Sequence, residues 1–311
     1  MSLLGRKSVI FAKVEGTQGV DASPDATNDA MIVFDFDNGN EVDVNERDDQ
    51  GVALGNQQEV GGKARMNTVF MTEARGSGVA GTAPKGDSAL WKACGFKETV
   101  AGGSSVTYDP RSAGFESATI YANIDGVQSA ILGAVGNVEI SLVAGETVKL
   151  NWTLSSPWVI PTDVAVPTTH TPNTTLPPVA KNMTVLLDSF SPTIRSIKFN
   201  SNNVLTERDD LQATFGIAGF QITNRNIDGE IVIEAVTIAA KNFWSSLDAG
   251  TLMALSVIIG TTAGNIITIT ASTIRLRNIT WTENEGIALF TIPFQCVKSG
   301  DGNNEISVVY S

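Results

Sequence analysis

The chain repeats itself. Glu46-Arg47-Asp48-Asp49 returns as Glu207-Arg208-Asp209-Asp210, and the elements after each copy come in the same order. After the first copy the pattern predicts an apolar strand at 63–72 and a short helix, DSALWKACG, at 87–95; after the second, a strand at 230–238 and a helix, NFWSSLDAG, at 242–250. Asp87 and Asn242 stand where a side-chain oxygen caps a helix start, and Gly95 and Gly250 where a left-handed residue ends one. Each helix carries a tryptophan, Trp91 or Trp244. Further on, NVEISLVAG (137–145) matches NITWTENEG (278–286), and apolar strands come after both, at 147–154 and 287–294. Two copies of one interface in one chain allow a pseudo-symmetric ring to be built from half as many chains. The repeat therefore points to an assembly protein.

At 311 residues the chain has room for two domains of roughly 150 residues, each able to bury a core. An apolar share of 42% and a charged share of 17% mark a folded protein. No apolar run is long enough for a membrane-spanning helix. The opening MSLLGRKSVIFAKVEG has too short an apolar stretch for a secretory signal and reads as a basic arm entering a strand. Cys94 and Cys296, one per half, lie in no metal-ligand spacing and read as buried thiols.

Organisation is set by the turn and breaker residues. Residues 155–181 hold six of the eleven prolines amid threonines, an extended connector that marks the boundary between the halves. MIVFDFD (31–37) alternates, with Ile32, Phe34 and Phe36 on one face and Asp35 and Asp37 on the other. Asn38-Gly39 then suggests a tight turn before 41–45 alternates again. Val148, Leu150, Trp152 and Leu154 share a face, as do Ile274 and Leu276 between Arg275 and Arg277. Asp125-Gly126, Asp228-Gly229 and Glu285-Gly286 punctuate the rest. The fold class is mainly β and antiparallel: two tandem sandwich or barrel modules, 1–154 and 182–311, each with one short helix, joined by the 155–181 linker.

The net charge of −12 argues against a duplex-binding groove, which needs clustered cations. Eleven acidic residues and one basic residue, Arg47, lie between Asp21 and Glu59, so nearly all the net charge sits there. His170, the single histidine, lies in the linker without a catalytic neighbour. Asp35-Phe-Asp37-Asn-Gly39 places its glycine one position too early for an EF-hand loop. Gly76, Gly78 and Gly81 fit no phosphate-binding motif. No catalytic, cofactor or metal residues are assigned.

These residues also carry a resemblance. KVEGTQGVDASPDATNDAMIVFDF (13–36), EARGSGVAGTAPKGDSALWKACGF (73–96), SVTYDP (105–110), SATIYANIDGV (117–127), GNVEISLVAGETVKLNWTL (136–154), PTDVAVPT (161–168) and DGEIVIEA (228–235) come in an order that resembles the major tail tube proteins of long-tailed bacteriophages. The resemblance implies strands contributed to a continuous β-barrel lining a tube, an external helix, and loops and arms that join stacked rings. It also implies hexameric or pseudo-hexameric rings, DNA passing through the lumen, the tape measure protein and tail terminator as partners, assembly in the host cytoplasm, a place in the virion tail, and no catalysis. On that layout Asp35, Asp37, Glu41 and Asp43 are expected to face the lumen, where acidic groups repel phosphates. Inter-ring contacts are expected from an N-terminal arm, residues 1–13 with Arg6 and Lys7, and from loops 50–62 (Gln57, Gln58) and 211–220 (Gln212). Three chains per ring are expected, with a conventional hexamer as the competing stoichiometry. A secreted β-sandwich adhesin or carbohydrate-binding module, and a hydrolase on a β scaffold, are the alternative classes.

Overall fold

In the computed structural model, which describes residues 3–47, 50 and 55–311, the first half runs β1 (Ser8–Val14), β2 (Ala30–Met31), β3 (Phe34–Asn45), β4 (Val60–Glu73), α1 (Asp87–Ala93), β5 (Phe96–Ala101), β6 (Ser105–Pro110), β7 (Ala118–Ile124), β8 (Val127–Val143), β9 (Lys149–Pro157) and β10 (Thr162–Asp163). The second half runs β11 (Thr184–Leu187), β12 (Ile194–Asn200), β13 (Asn203–Asp209), β14 (Ile217–Arg225), β15 (Asp228–Glu234), α2 (Phe243–Asp248), β16 (Leu252–Ile259), β17 (Ile267–Leu276), β18 (Thr280–Asn284), β19 (Ile287–Cys296) and β20 (Ser307–Tyr310). The protein is mainly β, and the strand pairs are antiparallel, as the alternating patterns predict.

One ladder runs β3-β4-β9-β8-β12-β15-β19-β18. A second runs β11-β16-β17-β20-β6-β5. Strand β8 belongs to two neighbourhoods: its first part pairs with β7, which in turn pairs with β1, and its last part pairs with β9 and β12. Ladder contacts thus cross between the halves at β8·β12 and at β6·β20. Apolar residues from both ladders and both halves form one buried cluster.

The inner strands of the first ladder reach that core through alternate residues. Val148, Leu150, Trp152 and Leu154 are all at most 1% exposed, whereas Asn151, Thr153 and Ser155 are not buried. Helix α1 adds Leu90 and Trp91; the indole meets Phe96 at 5.0 Å, Tyr108 at 5.4 Å and Trp152 at 5.5 Å between ring centroids. A seven-residue helix is too short to be stable alone, so this aromatic packing is what holds it.

The repeat is visible in the pairing. In the first half β4 leads to α1 and pairs with β9, which pairs with β8; in the second β15 leads to α2 and pairs with β19, which pairs with β18. Phe70 opposite Trp152 corresponds to Ile231 opposite Ile292, and Glu139 opposite Asn151 to Thr280 opposite Thr291. Even the bulge at Phe34/Asp37 returns at Ile194/Ser196. Phe70 and Ile231 stand 161 residues apart, the same spacing as Glu46 and Glu207.

Several local expectations are corrected. Asn38-Gly39 makes no turn: β3 passes straight through, with Asn38 opposite Thr68 and Gly39 opposite Asn67, because the 14-residue β4 offers a partner along the whole strand. Asp87 is not the cap of α1; Gly86 occupies that position at φ 72°, and Asp87 lies buried in the first turn. Asn242 does cap α2, accepting the Ser245 N–H at 2.9 Å, and Gly95 and Gly250 end their helices at positive φ. Asp228-Gly229 is no turn but the start of β15, where a Cβ on Gly229 would meet the Lys198 carbonyl at 2.3 Å and the Phe294 ring at 2.5 Å. Asp125-Gly126 and Glu285-Gly286 are tight turns with both residues at positive φ. The strand expected at 230–238 ends at Glu234, and an unforeseen strand, β14, precedes it.

The proline-rich segment is fastened along its length. Its first residues finish β9, β10 pairs with β8, Thr171 N–H donates to Ala26 O, and Arg75 donates to the carbonyls of Asn173 and Thr175. Both cysteines are free and buried; burial pushes the Cys296 thiol up to about 12 and raises Cys94 as well. No helix among the described residues is long and apolar enough to cross a membrane.

Candidate assembly surface

The eight-stranded ladder ends in two strands that behave unlike those inside it. Interior strands bury every second residue; β3 and β18 bury none. Each pairs on one side only among the described residues, β3 with β4 and β18 with β19. The other side of each presents a row of backbone donors and acceptors, the feature that makes an edge strand a template for another chain. Apolar groups accompany them: Trp281 is 61% exposed although it packs edge-on against Phe290 and stacks on Trp244, and Phe34, Val42 and Val44 of β3 are exposed.

Inside the chain the same kind of edge is already satisfied. Strand β12, the counterpart of the first part of β3, pairs with β8, the counterpart of β18, with Phe199 opposite Ile140 and Lys198 opposite Ser141. In that setting Ile197, Phe199, Ile140 and Leu142 are at most 3% exposed. Their counterparts are less covered: Phe36 and Asn38 on β3 are half-buried, and Trp281 and Glu283 on β18 are exposed, as one missing neighbouring strand would leave them.

The second hairpin also differs from the first in shape. Beyond Asn200 it breaks, with Asn202 at φ 44°, and its outer half, β13 and β14, forms a separate two-stranded sheet. That sheet lies on the first half. Asn203 donates to the carbonyls of Cys94 and Gly136, both at 2.8 Å; Gln18 donates to Phe220 O at 2.6 Å; Val135, Ile217 and Phe220 make a small apolar cluster. Charge fastens its tip. Lys63 bonds Glu207 at 2.9 Å and Asp209 at 2.5 Å, and Arg65 reaches Glu207 at 3.3 Å while gripping Glu41 at 2.9 Å and Asp43 at 3.0 Å. The bond to Arg65 lowers the Glu41 pKa, the bond to Lys63 lowers that of Asp209, and both cations are raised. The pairs are solvent-accessible, so they set position more than stability.

The residues singled out by sequence fall into separate places. Asp35 sits in the β3 bulge at φ 49° and is exposed; Asp37 lies opposite Val69, also exposed. Glu41 and Asp43 are brought together on Arg65. The arm is shorter than expected: β1 begins at Ser8 and buries Val9 and Ile10, leaving 3–7 outside the strand, with Lys7 paired to Asp125 at 2.8 Å and Arg6 exposed. Gln57 and Gln58 are exposed in the connection from β3 to β4; part of that connection, with Asp48 and Asp49 of the repeated motif, lies outside the described residues, as do Met1 and Ser2. Gln212 is exposed in the turn before β14, which begins at Ile217 and so shortens the expected 211–220 loop. Trp281 and the β18 edge were not singled out, because TWTEN shows neither a run of apolar residues nor an apolar face; the exposed tryptophan was their one signal.

The face of the ladder away from the core is mostly polar, with Asp37, Asn67, Thr153, Glu139, Lys198 and Glu230 at the intervening positions and Val69 exposed among them. Among the described residues no three His, Cys, Asp or Glu side chains gather as a metal site. A family model described as phage tail tube protein matches residues 5–308. No curated protein matches the chain.

Proposed function

Because the chain belongs to the phage tail tube family, we propose that it is a structural, non-enzymatic virion protein whose copies close into a ring by adding the β18 edge of one copy to the β3 edge of the next. The carrying observation is the internal β8·β12 seam, the occupied version of an edge left open at both ends of the same ladder. Each chain supplies two tube modules, 1–154 and 182–311, linked by 155–181, so three copies give six modules and a wall of threefold and pseudo-sixfold symmetry. The polar face then lines a lumen through which DNA slides, with Asp35 and Asp37 among the acidic groups that keep phosphates from sticking. Rings stack through the short arm with Arg6 and Lys7 and through the hairpin tips carrying Gln57, Gln58 and Gln212. The tape measure protein and the tail terminator are the further partners, in a tail assembled in the host cytoplasm.

The internal seam specifies the register of the open one. Lys198 lies opposite Ser141, and their counterparts are Asp37 and Thr282, two exposed side chains. A chain carrying Asp37→Cys and Thr282→Cys is expected to form intermolecular disulfides on mild oxidation, giving a covalent ladder that stops at three chains, since both native thiols are buried. A ladder reaching six supports the conventional hexamer. No intermolecular bond in assembled material sinks the seam.

A further inference from the structure

Three cations stand out in a chain of net charge −12. Arg275, Arg277 and Lys298 are exposed, and among the described residues none has an ion-pair partner, although Arg225 nearby is paired to Glu305 at 2.9 Å. Arg275 and Lys298 line a hollow of about 520 Å³ together with Gly250, Leu252 and the Arg225–Glu305 pair, whose charges offset each other. The guanidinium of Arg275 would lie 3.3 Å from a Cβ placed on Gly250.

In the first half the corresponding place is filled. Gly95, the counterpart of Gly250, has the Ile222 side chain against it, 3.0 Å from where a Cβ would be. Asn137, the counterpart of Asn278, accepts the Asn203 N–H and donates to Asn203 O. The occupant is the outer half of the second hairpin. The outer half of the first hairpin touches the second hairpin through Lys63 and Arg65, but among the described residues no counterpart of that host covers its other side, where Val42, Val44 and Val60 are exposed. It is also acidic, with Glu41 and Asp43 sharing the single guanidinium of Arg65, which Glu207 uses as well.

We propose that the outer half of the β3–β4 hairpin docks on the Gly250–Arg275–Lys298 hollow of a second copy of this chain, setting Glu41 and Asp43 against Arg275 and Arg277. Charge complementarity and continuity with the β18·β3 seam identify the occupant: once β3 pairs with β18, its outer half runs on toward β17, as β13 runs from β12 onto the first half. The inference rests on the ring reading. It adds a lock that the edge pairing does not supply, since backbone pairing alone fixes register weakly where polar residues face both ways.

The test is charge reversal in the full chain. Arg275→Glu with Arg277→Glu, at exposed positions, is expected to leave the circular dichroism spectrum and melting unchanged while raising the critical concentration for assembly at least tenfold. Glu41→Lys with Asp43→Lys is expected to raise the critical concentration likewise, with some loss in melting because Arg65 loses both partners, and all four substitutions together to recover most of the loss in assembly. If the wild type assembles and the reversed strip assembles at the same concentration, the docking is wrong and the ring stands. If the wild type itself stays monomeric at high concentration, the ring reading fails first. Unchanged assembly combined with lost retention on immobilised DNA assigns the strip to nucleic acid and overturns the docking.

Discussion

Of Thr282→Pro and Glu283→Pro in β18, the one at the outward-facing amide is expected to yield a folded chain that forms no rings at any accessible concentration. Successive amides of a strand point to opposite sides, so one of these two N–H groups faces β19 and the other faces away from the chain. Proline on the outward side removes a donor that nothing among the described residues uses, and its ring blocks approach of a second strand. Proline on the inward side breaks the β18·β19 ladder and loosens Trp281 from Phe290. The pair of variants therefore separates folding from assembly. Light scattering and electron microscopy read the outcome, with melting as the folding control. Rings from both folded variants would remove β18 from the interface.

Asp87 carries the second large effect. The carboxyl is 5% exposed in the first turn of α1, and burial, opposed in part by the Arg75 guanidinium and the Thr72 hydroxyl, pushes its pKa up to about 7. A carboxyl whose folded value lies above its unfolded value binds more protons when folded. Its contribution to stability is thus full below about pH 4 and is lost as pH rises through about 7. The shift corresponds to on the order of 4 kcal/mol. Asp87→Asn keeps the shape without the charge, so its melting temperature is expected to pull ahead of the wild type by several degrees between pH 4 and pH 8, then level off. A difference that stays constant with pH would show that the carboxylate is not charged at this site's expense.

Much of the architecture was legible because it is written in local periodicity. The buried run Val148, Leu150, Trp152, Leu154 and the capped helix at Asn242 need only neighbouring residues to be recognised, and the repeat needed only the order of such elements. What was not legible depended on partners distant in sequence. Asn38-Gly39 has the chemistry of a turn, yet a long β4 outcompeted it. β14 was hidden because it opens on Ile-Ala-Gly-Phe within a stretch rich in small residues, and its pairing with β13 is stabilised by docking on Val135, Gln18 and Lys63, far away in the chain. Asp87 was read as a cap because acidic residues favour helix starts; its buried place beside the Thr72 hydroxyl and the Arg75 guanidinium is set by a neighbouring strand and loop. Of the candidate surface, the acidic residues of β3 were visible and its exposed edge was not, since an edge is defined by the strand that is missing. Arg275 and Arg277 read only as the polar half of an alternating strand.

The β8·β12 pairing has a kinetic consequence. A seam inside one chain forms during folding, as a first-order event that does not depend on concentration, with the effective concentration of a tethered partner. In the proposed ring, where every second seam is of this kind, three bodies come together instead of six, and translational and rotational freedom is lost for only two associations beyond the first chain. The rate of ring nucleation should then rise with about the third power of protein concentration, and dilution should slow the start of a tube far less than it would slow a six-body collision.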